Sequence, residues 1–293
     1  MKEEDIINLT KKEFLQQISL AKETGNYKGQ IPPQEYLNIL EDMPDNIFQF
    51  EKTWYIKPDQ ELEKQFTEIC NFLADPRIRD ENLPEPSRVI RDLYLKDYES
   101  WKNFIEQIHS IRNMIYSADY HIKQIDDLQI SLEQSLKNSI STNHNQTMGY
   151  GNLYTRKLDY EFQAFILKIR VPLDYFTEAV RLCYEKVNSN YFTDLIINLP
   201  SNLTPIYEKY KSDLNDDLIL SHNKKTARNV LSHQKYIALG TINTSYNKNS
   251  EESFLVLNIS GKKIELKNIQ EFLLNRRDVV ANFLIASIWA IIK

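Results

Sequence analysis

Arg228, Asn229 and His233 put a permanent cation, an amide and a titratable imidazole into one short segment, Arg228-Asn229-Val230-Leu231-Ser232-His233. A guanidinium matches phosphate oxygens as a planar fork, and histidine is the side chain whose ordinary pKa lies near neutrality. Together they can hold a phosphate and move a proton, which is what metal-free cleavage of RNA requires. Spacing alone is a weak signal: with five histidines in 293 residues, an Arg-x4-His match arises by chance about 0.2 times. Geometry sets a further condition. In a continuous helix, residues five apart point about 140° apart around the axis, so Arg228 and His233 would diverge. A helix start removes the conflict. With Thr226 as N-cap, Arg228 and Asn229 fall in the first turn, where free amides and the dipole favour an anion, and His233 follows one turn on.

Nearby candidates carry less. His222, Lys224 and Lys225 lie close enough upstream to line the same cleft and bind substrate, although basic residues also suit a helix C-terminus. Glu161, Lys168 and Asp174 could face the site from an earlier helix, but solvated helix positions account for them better. Arg112-Asn113 repeats the start of the motif, yet Ser117 stands where a His would complete it. His109, His121 and His144 have no evident partner and receive no role.

The elements that must position these residues are mostly helical. Thr10-Lys11-Lys12-Glu13 has capping-box spacing and opens an amphipathic helix that stops near Gly25. Pro33 can start a short helix, and residues 48–54 alternate as a short strand would. Asp59 caps a helix whose apolar positions include Leu62, Phe66, Ile69, Cys70 and Leu73, ended by Pro76. Residues 87–148 contain neither Gly nor Pro and predict two long helices with a break near 117–120. The polar stretch 141–151 reads as a linker. An apolar stripe from Leu158 to Val187 predicts the strongest helix, which Pro172 should kink rather than end. A helix over about 204–222 leads to the motif. Residues 236–246 and 254–266 then read as a β-hairpin with a Gly261-Lys262 turn before a short third strand, and a last helix spans about 268–292. Apolar residues cover more of that helix than one core stripe needs, so either a second copy or the N-terminal helices must bury the surplus.

Composition bounds the rest. With 42% hydrophobic residues the chain can bury a substantial core. The net charge of −5 hides a division: residues 1–150 hold 17 Lys and Arg against 26 Asp and Glu, and residues 151–293 hold 19 against 15. The acidic first half argues against wrapping duplex DNA, while the mildly basic second half allows local phosphate contact. Cys70 and Cys183 lack metal-ligand spacing and read as core thiols, so no metal and no cofactor is expected. The N-terminus Met1-Lys2-Glu3-Glu4-Asp5 lacks the basic-then-apolar order of an export signal, and the apolar run 279–292 is shorter than the roughly 20 residues of a membrane span. A cytoplasmic protein with no membrane contact is expected.

Two long helices, then Arg-Asn-x-x-x-His, then a final helix resembles the HEPN superfamily over about residues 154–293. The similarity is carried by the first helix, EFQAFILKIRVPLDYF, and by RNVLSH with its polar residue directly after the arginine. That resemblance implies a mainly α fold: an HEPN-like helical bundle over 152–293 carrying a small β-hairpin insertion, preceded by an N-terminal helical extension over 1–148. It further implies a metal-independent endoribonuclease, of toxin or phage-defence type, in which Arg228 holds the phosphate and transition-state charge, Asn229 orients and His233 acts as general base or acid. The implied partners are an RNA substrate, a second copy in a homodimer, and an antitoxin or other protein. A catalytically silent module that binds RNA, nucleotide or a partner protein is the alternative. The β-hairpin and residues 1–150 have no counterpart in the minimal bundle.

Overall fold

The computed structural model describes residues 15, 16, 19, 59–74, 87–141, 147–150, 156–184, 186–217, 219–220, 242–247, 252–259 and 262–293. The chain divides into two compact units, Met1–Gln60 and Glu61–Lys293. Of the first, residues 15, 16 and 19 are helical, and the other elements expected before residue 59 lie outside the described residues. The second unit is a mainly α helical bundle. The expected division near residues 148–152 falls inside this unit, because the helices on either side of it share one hydrophobic core.

Helix α1, Gln60–Ala74, starts directly after Asp59 and carries Glu61 and Glu63 in its first turn, where the dipole favours acids. It buries Leu62, Phe66, Ile69 and Leu73 on one face. Helix α2, Arg88–Lys96, is capped by Ser87, whose hydroxyl accepts from the Ile90 amide at 3.2 Å. Asp97 ends α2 and opens the next helix, accepting the Ser100 amide at 3.0 Å and the Ser100 hydroxyl at 2.5 Å. Those two bonds hold the Asp97 carboxyl below the ordinary aspartate range.

Helix α3, Tyr98–Ser141, runs for 44 residues without the expected break at 117–120. The reason is visible in its core face. Trp101, Phe104, Ile108, Ile111, Ile115, Ala118, Ile122 and Ile125 are all buried, alternating steps of three and four straight through the supposed gap. Ala118 is the core position that a search for large apolar residues passes over, and the polar Asp119 beside it is engaged by an arginine of another helix rather than by solvent. Helix α4, Arg156–Cys183, buries Leu158, Phe162, Ile166, Ile169, Leu173, Phe176 and Val180 on matching steps and packs along α3. It continues through Pro172. Short α5, Phe192–Leu195, and α6, Thr204–Asp216, follow; α6 begins with Pro205 in its first turn and buries Tyr207 and Leu214.

Four strands form one antiparallel sheet in the order β1-β2-β3-β4: Thr147–Tyr150, Ile242–Asn247, Glu252–Ile259 and Lys262–Leu266. The last three are the expected hairpin and third strand. Strand β1 corrects the linker reading of 141–151, because its backbone pairs with β2 from Thr147 opposite Asn247 to Tyr150 opposite Thr244.

Helix α7, Ile269–Ile292, is the centre of the bundle. Asn268 caps it by accepting the Glu271 amide at 3.1 Å. Phe283 meets Phe176 of α4, Phe192 of α5, and Tyr207 and Tyr210 of α6 edge-on at centroid distances of 5.7, 5.6, 6.5 and 6.0 Å, and Trp289 meets Phe72 of α1 at 5.6 Å. The surplus apolar surface is therefore buried within the chain, as a helix apolar all round requires. Its last carbonyls are also satisfied internally. Trp289 O accepts from Lys293 N at 3.0 Å, Ala290 O from Asn202 Nδ2 at 2.8 Å, Ile291 O from the Ser87 hydroxyl at 2.6 Å, and Ile292 O from the Ser87 amide at 2.9 Å.

Candidate functional site

His222, Lys224, Lys225, Arg228, Asn229 and His233 all lie outside the described residues, as does residue 218, so no element is assigned to the motif. The structure does describe how the chain enters that segment. After α6, Asp217 turns the backbone: its Oδ1 accepts the amides of Ile219 at 2.7 Å and Leu220 at 3.0 Å. Its Oδ2 pairs with Nη2 of Arg276 on α7 at 2.8 Å. Arg276 is itself held, with its guanidinium 3.4 Å from the centre of the Phe272 ring and Nη1 donating to the Phe272 carbonyl at 2.8 Å. Ile219 and Leu220 are buried.

A second arginine closes the turn from the other side. Arg170 of α4 is buried among apolar neighbours and donates through Nη1 to the Leu220 carbonyl. A fully buried guanidinium is tolerated only with polar partners, so this bond ties the backbone at Leu220 to the bundle. Asp217 and Leu220 are thus held from α7 and α4, and at the far side of the undescribed segment the chain returns as β2, paired on both edges by β1 and β3.

Two further polar links cross the bundle. Arg277, next to Arg276 and so turned about 100° from it around α7, pairs with Asp119 of α3 at 2.9 Å and with Asp278 at 2.8 Å. His121 Nδ1 lies 2.7 Å from Glu161 Oε2, joining α3 to α4, with the Tyr120 ring edge-on at 5.3 Å. Burial, with the Glu161 charge, pushes the Tyr120 hydroxyl above its ordinary value. Glu161 is therefore no plain solvated position and His121 does have a partner. The two stand on different helices, and nothing in their local sequence marks them as a pair. Asp174 accepts weakly from the Phe192 amide at 3.4 Å.

Cys70 and Cys183 are free thiols, half-buried against the core, and burial pushes both up in pKa, offset at Cys70 by Arg112. Among the described residues, no three His, Cys, Asp or Glu side chains gather as a metal-holding group. Among the same residues no helix is long and apolar enough to cross a membrane. No protein-family model, curated protein or solved structure matches the chain.

Proposed function

We propose that this chain is a cytoplasmic, metal-independent endoribonuclease of HEPN type, acting as a dimer in a toxin or phage-defence role. One observation supports the reading most: the chain leading toward the Arg228 motif is held in a helical bundle at Asp217 and Leu220 by arginines from α7 and α4, a fixed base for a segment that must hold a phosphate. The order of elements agrees with the resemblance, with α4 and α6 before the motif and α7 after it.

In this mechanism Arg228 neutralises the non-bridging phosphate oxygens and Asn229 orients them. His233 takes the proton from a ribose 2′-OH. The 2′-oxygen forms a bond to phosphorus, the bond to the 5′-oxygen breaks, and the departing oxygen is protonated by a second acid or by water. The product ends are a 2′,3′-cyclic phosphate and a 5′-hydroxyl. The test is incubation of the full chain with mixed RNA, with and without EDTA. Cleavage should persist in EDTA and vanish in Arg228→Ala and in His233→Ala, each with an unchanged melting temperature. A requirement for divalent metal, or full activity in either variant, overturns the proposal. RNA binding without cleavage would favour the silent module instead.

A further inference from the structure

Arg112-Asn113 repeats the opening of the Arg228 motif, and the imidazole that the forward spacing lacks stands one turn before it, at His109. His109, Arg112 and Tyr116 follow steps of three and four along α3, so they lie on one face of the helix. All three are partly buried. Across from them α1 presents Glu63, Phe66 and Cys70 at the same steps, and the Phe66 and Tyr116 rings meet edge-on at 6.4 Å. Cys70 lies within electrostatic reach of both Arg112 and Tyr116.

Donors without acceptors collect here. Among the described residues Arg112 makes no ion pair, and its buried Nε has no hydrogen-bond partner. The Tyr116 hydroxyl is buried as well and has none. Asp119, one turn on along the same face, is held by Arg277, and Glu63 of α1 is exposed. Burial, with the Glu63 charge, pushes the Tyr116 hydroxyl up, so it stays a donor throughout the neutral range. A buried donor that has given up water is destabilising until an acceptor arrives. A guanidinium fork, a phenol and an imidazole N–H side by side match the oxygens of a tetrahedral anion.

We infer that Arg112, Tyr116 and His109 form a binding site beside α1 for the phosphate group of a small molecule, either free phosphate or a phosphate monoester. Arg112 takes two oxygens through its fork, the Tyr116 hydroxyl donates to the anion, and His109 donates through a ring N–H. A small anion fits where a nucleic acid does not. The site has one permanent cation, and residues 1–150 carry 26 Asp and Glu against 17 Lys and Arg, a field that repels a polyanion more than a single phosphate. Binding is weak, with a dissociation constant on the order of 1 mM, because one guanidinium supplies the charge. No residue of the Arg228 motif enters this inference, and it stands or falls apart from the ribonuclease reading.

The test is a proton NMR titration of the full-length chain near neutral pH with inorganic phosphate, with phenyl phosphate, and with a short single-stranded DNA, which has no 2′-OH to be cleaved. Chloride at matched ionic strength is the control. The chain has five histidines, and His109→Gln identifies the His109 imidazole signal. Burial and the Arg112 charge hold that imidazole neutral, and a bound phosphate favours its protonated form, so the signal should move toward the imidazolium position and saturate. The tighter of the two small anions tells free phosphate from monoester. Arg112→Gln should weaken binding at least tenfold and Tyr116→Phe about threefold, each with circular dichroism unchanged. Arg228→Ala should leave the His109 response as in wild type. A His109 signal that moves no more with phosphate than with chloride overturns the inference, and this wild-type reading decides even where a variant fails to fold. Saturation lost in Arg228→Ala and kept in Arg112→Gln also overturns it, while favouring the ribonuclease reading. Tighter binding of the DNA than of either small anion overturns the small-molecule assignment.

Discussion

Asp217 divides its two oxygens between two tasks, which makes the clamp at the end of α6 separable by mutation. Oδ1 serves the Ile219 and Leu220 amides, and Oδ2 faces Arg276 at 2.8 Å. Asp217→Asn can keep the amide bonds only by turning its NH₂ toward the Arg276 guanidinium, donor against donor. The side chains are 14% and 19% exposed, so screening by solvent is limited. A hydrogen bond to a charged group contributes about 1.5–3 kcal/mol, and the two amide bonds about 1 kcal/mol each. Asp217→Asn should therefore cost about 2 kcal/mol and Asp217→Ala about 4 kcal/mol. For a unit of this size that lowers the melting temperature by about 4–8 °C and about 8–16 °C. Amide exchange supplies the second readout: protection of Ile219 and Leu220 should survive in the Asn variant and collapse in the Ala variant. Combining Asp217→Asn with Arg276→Met should cost about 1.5 kcal/mol less than the sum of the single changes. Equal melting temperatures for Asp217→Asn and wild type, with unaltered exchange in Asp217→Ala, would refute the clamp.

Two other expectations follow from groups inside the bundle. Arg277→Met removes the cation facing Asp119 and should destabilise the fold by about 3–5 kcal/mol in denaturant titration, whereas adding Asp119→Asn should recover part of that loss. Burial and the neighbouring Arg112 hold the His109 imidazole below its ordinary value. The unfolded chain then takes up the proton first, so the contribution of His109 is complete above about pH 6.5 and is lost as pH falls below it. His109→Gln should flatten that part of the stability profile measured by thermal melts from pH 5 to 8.

The helices were legible because their apolar residues recur at helical spacing. What misled the reading of α3 was chemistry at one position: Ala118 is small enough to be counted as neutral, yet it is buried and keeps the seam in phase. Strand β1 escaped because four residues carry no periodic signal and the partner strand lies far along the chain. The motif residues stand out by type. Their supports do not, since Arg170 sits within an apolar stripe and its acceptor is a backbone carbonyl, which no side-chain pattern encodes. The His121 and Glu161 pair was hidden for the same kind of reason, as it exists only once α3 and α4 are side by side.

The 44 residues of α3 span about 66 Å, against about 42 Å for the 28 residues of α4. Helix α3 packs on β1 and β2 as well as on its fellow helices, and Leu136 near its end is buried outside the main core, against which α3 packs as far as Leu132. One rigid rod therefore sets the heading of the sheet. A single residue inserted between Ile125 and Leu136 would swing everything beyond it by about 100° around the axis, while seven residues would restore the heading to within about 20°. Descendants of this gene can lengthen or shorten that stretch only in near-whole turns, and a comparison of their lengths would reveal the rod by the sizes of gap it forbids.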